Sequence, residues 1–287
     1  MTKLIAAARR YWLLKLVLFF VALAVVDFAG QVGVGETSKA LTALRGPVWL
    51  VGGLLIAAAM ISAYRGLVTL FEERTAIELE PRKVVGIGLA GLPLGILLFA
   101  LVMGILGRMG VAHFTESSAL PNFLRSIGGA IAAAAGEEIV FRGVLFRLVE
   151  QRFGSLAGIA FSAILFGTAH AANPGAGLTG AVAIALESGV LLGVVYIASR
   201  SLWLPIWLHF GWNMTEGAIF GAPVSGRAPS GVVATTLTGP DSLTGGTFGP
   251  EASVVAVGVV LAASLGFLAV GVRRGHWRPF SKQPALA

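Results

Sequence analysis

The chain has 287 residues, 56% of them hydrophobic and only 12% charged, with a mean hydropathy of +0.85. It is too apolar and too charge-poor for a soluble domain of this length, and the composition predicts an all-α polytopic membrane protein forming one integral membrane domain over 1–287. Cysteine is absent, which excludes disulfides, thiolate metal sites, a cysteine nucleophile and a prenylation box on the chain itself. The net charge of +7 comes from Lys and Arg at the ends of apolar runs, a placement that fits membrane orientation and not nucleic-acid binding.

The N-terminal stretch MTKLIAAARRYWLLKLVLFFVALAVVDFAG has the basic start and apolar core of a signal peptide, and ALA at 22–24 resembles a cleavage site. It is also long enough to span, and further spans follow, so a retained first helix is expected. Apolar runs of about 20 residues recur about eight times, near 12–29, 47–64, 84–106, 127–149, 155–172, 178–199, 203–221 and 251–272. Small-residue interruptions such as VGGLL and SIGGAIAAAAG suit close helix approach in lipid. FEERTAIELEPRK at 71–83 reads as a solvated charged connector, and 222–250, rich in Gly, Pro, Ser and Thr, as an irregular extracytoplasmic loop. With the N-terminus in the cytoplasm, one side collects most of the Lys and Arg residues, leaving Lys39, Arg45, Arg108, Arg125 and Arg227 on the other. Both termini are therefore expected in the cytoplasm.

Within the core at 127–221, ionisable groups inside spans are few: Glu137, Glu138, Arg142, His170, Glu187, His209 and Glu216, with Asp27 in the first span. Each costs on the order of 2.5–3.5 kcal/mol to insert, so each is expected to face a protein interior or a wet cavity. Glu138 and Arg142 stand four apart on one helix face and form a supporting ion pair, whereas Glu137 is rotated about 100° away and left spare. His209 and Asn213 also share a face. A tight hairpin around Arg152 to Ser155 places Glu137 and His170 level with each other. If RLVEQR projects about two turns into the cytoplasm, His209 and Asn213 reach the same level, in the cytoplasmic half or near the midplane.

A glutamate and a histidine can orient and deprotonate water, while a second histidine and a carboxamide donate to an oxyanion. Alternatively, Glu137, His170 and His209 hold a divalent metal such as zinc. There is no HExxH, no GxSxG, and no aspartate pair placed for an intramembrane dyad.

EEIVFR, FGTAH and HFGWN occur in the order of the EExxxR, FxxxH and HxxxN motifs, and through them the chain resembles the CPBP family, the CAAX proteases and bacteriocin-processing (Abi) enzymes. It is similar to a bacterial relative of the Ras-converting CAAX prenyl endopeptidases. The resemblance implies an eight-helix intramembrane endopeptidase of the bacterial inner membrane, acting on a peptide or protein substrate that is lipid-modified or membrane-embedded. It assigns Glu137 as activating base, His170 as water-positioning group, and His209 with Asn213 as oxyanion donors; it leaves open whether a metal takes part. Eukaryotic members cut after a prenylated cysteine, whereas many bacterial relatives are linked to peptide processing or self-immunity. Two other readings compete: a proton or ion transporter built on the same Glu and His residues, and a catalytically silent membrane scaffold.

Overall fold

The computed structural model describes residues 2–117, 120–228 and 231–280. A short helix, α1 (Thr2–Arg10), precedes the long apolar α2 (Trp12–Ala40) and α3 (Arg45–Glu72); a wide helical turn at Val84–Gly88 leads into α4 (Gly91–Arg108). After a strand β1 (Ala112–Glu116), α5 (Leu120–Glu138) widens to π-type hydrogen bonding over Ile139–Phe146 and continues as α6 (Arg147–His170). The next rod joins α7 (Gly177–Ile184) to α8 (Leu191–Ser199) through a second wide stretch, Ala185–Val190. A third, Met214–Ile219, extends α9 (Trp203–Asn213). Strand β2 (Val233–Leu237), the one-turn α10 (Asp241–Thr244) and α11 (Val254–Arg273) complete the order.

This is an all-α integral membrane protein, and six helices among the described residues are long and apolar enough to cross a bilayer. The runs expected at 127–149 and 155–172 lie in one apolar helical segment, Asn122–His170, which turns back on itself at Gly154 (φ 84°, ψ 170°). The reversal is fixed by Phe141 and Phe166, whose rings meet at 4.8 Å, and by Ser162 Oγ, which reaches the Phe141 carbonyl at 3.4 Å. The run expected at 203–221 is helical but short, with 11 α-helical residues and six in the wide stretch. Within 222–250, read as irregular, β2 pairs antiparallel with β1, Ala112 opposite Leu237.

Glycines set the tightest helix approaches. A Cβ on Gly128 of α5 would stand 2.0 Å from the Trp49 carbonyl of α3, and one on Gly95 of α4 would stand 2.1 Å from the Leu208 carbonyl of α9. Without hydrophobic driving force between helices in lipid, this backbone-to-backbone packing is a main source of cohesion.

The structure overturns the reading of 71–83 as a solvated connector. Glu78 is 3% exposed and Leu79 is fully buried. Arg74 donates to Glu72 at 2.7 Å and to both oxygens of Glu78 at 2.9 Å; Arg147 of α6 grips the two Glu72 oxygens at 2.7 and 2.9 Å, and the Tyr64 hydroxyl donates to Glu78. The charges solvate each other. The segment also holds the start of α9, since Leu202 N–H donates to the Glu78 carbonyl and the Trp203 indole to the Glu80 carbonyl. At this same end, Arg200 pairs with Glu150 at 2.5 Å, and Ser155 exchanges two hydrogen bonds with the backbone of Arg278 beside the Gly154 turn. Arg147 and Glu150 within the hairpin around Gly154 are buried and ion-paired, so the hairpin is clasped by neighbouring segments. We refer to this as the basic end; the β1–β2 pair and the loops after α6 and α9 form the loop end.

Burial raises the Glu78 carboxyl, but the hydrogen bonds from Arg74 and Tyr64 and the charge of Arg147 outweigh it and hold the group below its ordinary value of 4.5. A depressed carboxylate contributes stability that is complete above its unfolded value and is lost as pH falls through the folded one. Thermal unfolding in detergent should therefore weaken on acidification below pH 4.5, and Glu78→Gln should lower the midpoint at neutral pH while flattening that acid limb. Separately, Gly128→Ala should lower the midpoint, whereas Gly129→Ala, with nothing within 4 Å of the added methyl, should not.

Candidate active site

The site begins with two adjacent glutamates at the end of α5, where the helix points one into the bundle and the other into a cavity. Glu138 is fully buried. Its Oε1 accepts from Arg142 Nη1 at 2.7 Å and from His209 Nδ1 at 3.0 Å. The expected Glu138–Arg142 pair is thus present, and Glu138 has a second role that the sequence did not reveal: it orients the imidazole of His209 on α9. Arg142 lies in the first wide stretch and reaches the second, donating to the Ser188 carbonyl and, at 3.3 Å, to that of Gly189. Wide turns release carbonyls from regular pairing and recur at functional sites. The guanidinium also lies over the Phe166 ring, 4.8 Å from its centroid.

Phe166 organises the other histidine. Its carbonyl accepts from His170 Nδ1 at 2.8 Å and its ring stacks on the imidazole, centroids 4.6 Å apart. Because a carbonyl only accepts, Nδ1 carries the proton, and Nε2 turns toward Glu137. His209 is held alike, with Nδ1–H on Glu138 and Nε2 free. Glu137 Oε2 stands 3.9 Å from both Nε2 atoms. It is buried and has no hydrogen-bond partner among the described residues.

Around these atoms is a small cavity with about 40 Å³ of room for water, lined also by Asn213, Asn173, Ser225, Arg227 and Glu251. Glu137, His170, His209 and Asn213 therefore come together around one space. Asp27 of α2 approaches the same region: its Oδ1 lies 3.3 Å from where a Cβ on Gly136 would stand. Glu187 lies apart, in a smaller pocket on the other side of His209 with Trp212 and Leu208, and Glu216 is fully buried.

His170 is the last residue of α6, and the far wall consists of residues from the loops after α6 and α9 and the start of α11. At 1.5 Å per residue, Glu137 lies about 25 Å from the Gly154 turn and equally far from Leu120 at the start of α5. Sequence reasoning missed Ser225, Arg227 and Glu251, because only the folded loop brings them in. Ser225 donates through N–H and Oγ to Glu251 Oε2 at 2.7 and 2.8 Å, and Trp212 donates to the other oxygen at 3.2 Å.

The donor chemistry of one carboxylate and two imidazoles, each held through Nδ1–H, suits zinc, but the spacing does not. A tetrahedral ion with bonds of about 2.0–2.1 Å sets its ligand atoms roughly 3.3–3.4 Å apart, against 3.9 Å here. Among the described residues, no set of three His, Asp or Glu side chains is arranged to hold a metal. A water hydrogen-bonded at about 2.8 Å to each atom spans the gap with an angle of roughly 90°.

Fold and cavity together define a polytopic membrane protein with a carboxylate–imidazole site inside its helical bundle. In comparison with known families, residues 119–215 match the Rce1-like type II CAAX prenyl endopeptidases, so the chain carries an Rce1-like domain. The matched region contains Glu137, Glu138, Arg142, His170, His209 and Asn213. No curated protein and no solved structure matched the chain. The match supports a CAAX-protease-like membrane endopeptidase with a protein substrate.

Replacing Arg142 by Met should leave Glu138 buried with one partner and cost about 3–5 kcal/mol. Chemical unfolding in detergent measures this, and Glu138→Gln in the same chain should recover part of the loss.

Proposed function

We propose that the chain is an intramembrane endopeptidase in which Glu137 activates a water for attack on a peptide carbonyl. The observation that carries this reading is the unpartnered Glu137 Oε2 facing two imidazole Nε2 atoms at equal distance. A water in that gap is oriented by the His170 lone pair and gives its proton to Glu137 as its oxygen bonds to the carbonyl carbon. The carbonyl π electrons move onto oxygen. A protonated His209, its single positive charge set against Glu138 through Nδ1–H, donates Nε2–H to that oxyanion together with the Asn213 amide. Glu137 then passes the proton to the departing amine, the C–N bond breaks, and an acid and an amine result. Phe166, Glu138 and Arg142 act as positioning residues, holding the imidazoles and not touching the substrate.

This reading uses no metal, in line with the 3.9 Å spacing. The substrate is a protein segment within or beside the bilayer. Glu137→Gln should abolish cleavage of a precursor that accumulates in the membrane proteome of cells carrying the variant. With that precursor as substrate, Asn213→Ala should lower kcat by a factor of about 100 or more with KM little changed. Loss of wild-type cleavage on chelation, restored by zinc, would replace the water mechanism with a metal one.

A further inference from the structure

The cavity wall carries a cation that the water chemistry does not use. Apart from the two histidines, three ionisable side chains line the space: Glu137, Glu251 and Arg227. Glu137 faces the imidazoles, and Glu251 is occupied by Ser225 and Trp212. Arg227 is exposed, and among the described residues its guanidinium forms no ion pair and no hydrogen bond. Asp27 lies within electrostatic reach of both Arg227 and Glu137 but bridges to neither.

Unpaired arginines are common on surfaces, but this one is carried by a strained and heavily braced turn. The turn at 224–227 closes with Arg227 N–H on the Val224 carbonyl at 2.9 Å, and its central residues, Ser225 at φ 47° and Gly226 at φ 79°, both lie in the left-handed region. That conformation suits glycine and strains a serine, and such strain persists only where the surroundings over-determine the backbone. Here they do. Glu251 accepts from Ser225 N–H and Oγ, Asn173 Nδ2 donates to the Ser225 carbonyl at 3.1 Å, and Gly226 N–H donates to the Phe248 carbonyl at 2.7 Å. A Cβ on Gly226 would stand 1.9 Å from the Pro174 carbonyl. Segments after α6, after α10 and at the head of α11 thus fix the turn, and the side chain it delivers to the cavity is a guanidinium without a partner.

A guanidinium is permanently charged and presents a planar fork of donors that matches a carboxylate bidentately. The other fixed charges around the cavity are acids, so the wall repels an anion everywhere except at Arg227. Because Arg227 shares the cavity with Glu137 and Asn213, the ligand that brings the anion is the one whose carbonyl meets the activated water.

We infer that Arg227 forms a specificity subsite for a carboxylate of the bound peptide, supplied by an Asp or Glu side chain or by a free C-terminus near the scissile bond. The peptide class rests on the peptidase reading; the preference of this wall for a carboxylate does not.

The test uses two pools of random octapeptides, one with free C-termini and one amidated, and the full chain in detergent carrying Glu137→Gln so that bound peptides stay intact. Mass spectrometry of the retained peptides should show carboxylate-bearing sequences enriched about tenfold or more over uncharged ones. Adding Arg227→Gln should remove the enrichment with no change in the thermal midpoint, since the side chain holds nothing in the fold, and adding Arg227→Glu should turn the preference toward Lys and Arg. Enrichment of the free-terminus pool whatever its sequence identifies the terminal carboxylate, and equal enrichment of Asp and Glu in both pools identifies side chains; either supports the subsite. Retention without a carboxylate preference, a preference that survives Arg227→Gln, or no retention at all overturns it. The wild type incubated with the same pools separates the two readings. Arg227-dependent retention with no peptide cleaved counts against the peptidase reading and leaves the subsite standing, whereas cleavage indifferent to carboxylates overturns the subsite alone.

Discussion

The structure depends on one buried carboxylate. Glu138 has no exposed surface, and an isolated charge there would cost several kcal/mol. Arg142 and His209 meet the same oxygen, so the cost is offset by partners from its own helix and from α9. Arg142 in turn is fully buried and needs acceptors of its own, which the Ser188 and Gly189 carbonyls supply from a stretch wound wider than an α-helix. Three segments distant in sequence are thereby tied together around one charge. The imidazole facing Glu137 is placed by this tie and not by local helix geometry alone.

What the sequence made legible were relations within one helix. The four-residue spacings of Glu138 with Arg142 and of His209 with Asn213, and the rotation that isolates Glu137, follow from helix periodicity, and the level pairing of Glu137 with His170 follows from a tight hairpin. What it hid were relations between segments. Nothing in HFGWN shows that His209 donates to Glu138, because that contact exists only once α9 packs against α5. The charged connector at 71–83 looked hydrated because its partners, Tyr64 and Arg147, lie on other helices. The helix count differs because the arms expected at 127–149 and 155–172 fold as one helical segment turning at Gly154, and α9 with its wide extension is shorter than a typical span.

The far wall of the cavity was the least legible part. Ser225 and Arg227 sit in a Gly- and Pro-rich stretch whose composition signals turns and no particular target. Their position comes from Glu251, at the start of α11, which accepts from Ser225 and from Trp212 of α9 and so fastens the loop between two helices. A carboxylate at the head of an apolar run reads as a boundary marker, yet here it is a fastener. The β1–β2 pair anchors the other side of the same loop.

The Gly154 turn has a bearing on how the molecule is made. Its backbone is so closely covered by Arg278, Pro279 and Phe280 that a methyl group at position 154 would come within 2.9 Å of each of them. The hairpin of α5 and α6 is synthesised midway along the chain, but the hydrogen bonds closing its tip come from residues that leave the ribosome more than a hundred positions later. The pair of helices must therefore wait, already in the bilayer, with its tip uncovered, and the bundle locks only when the last helix has been delivered.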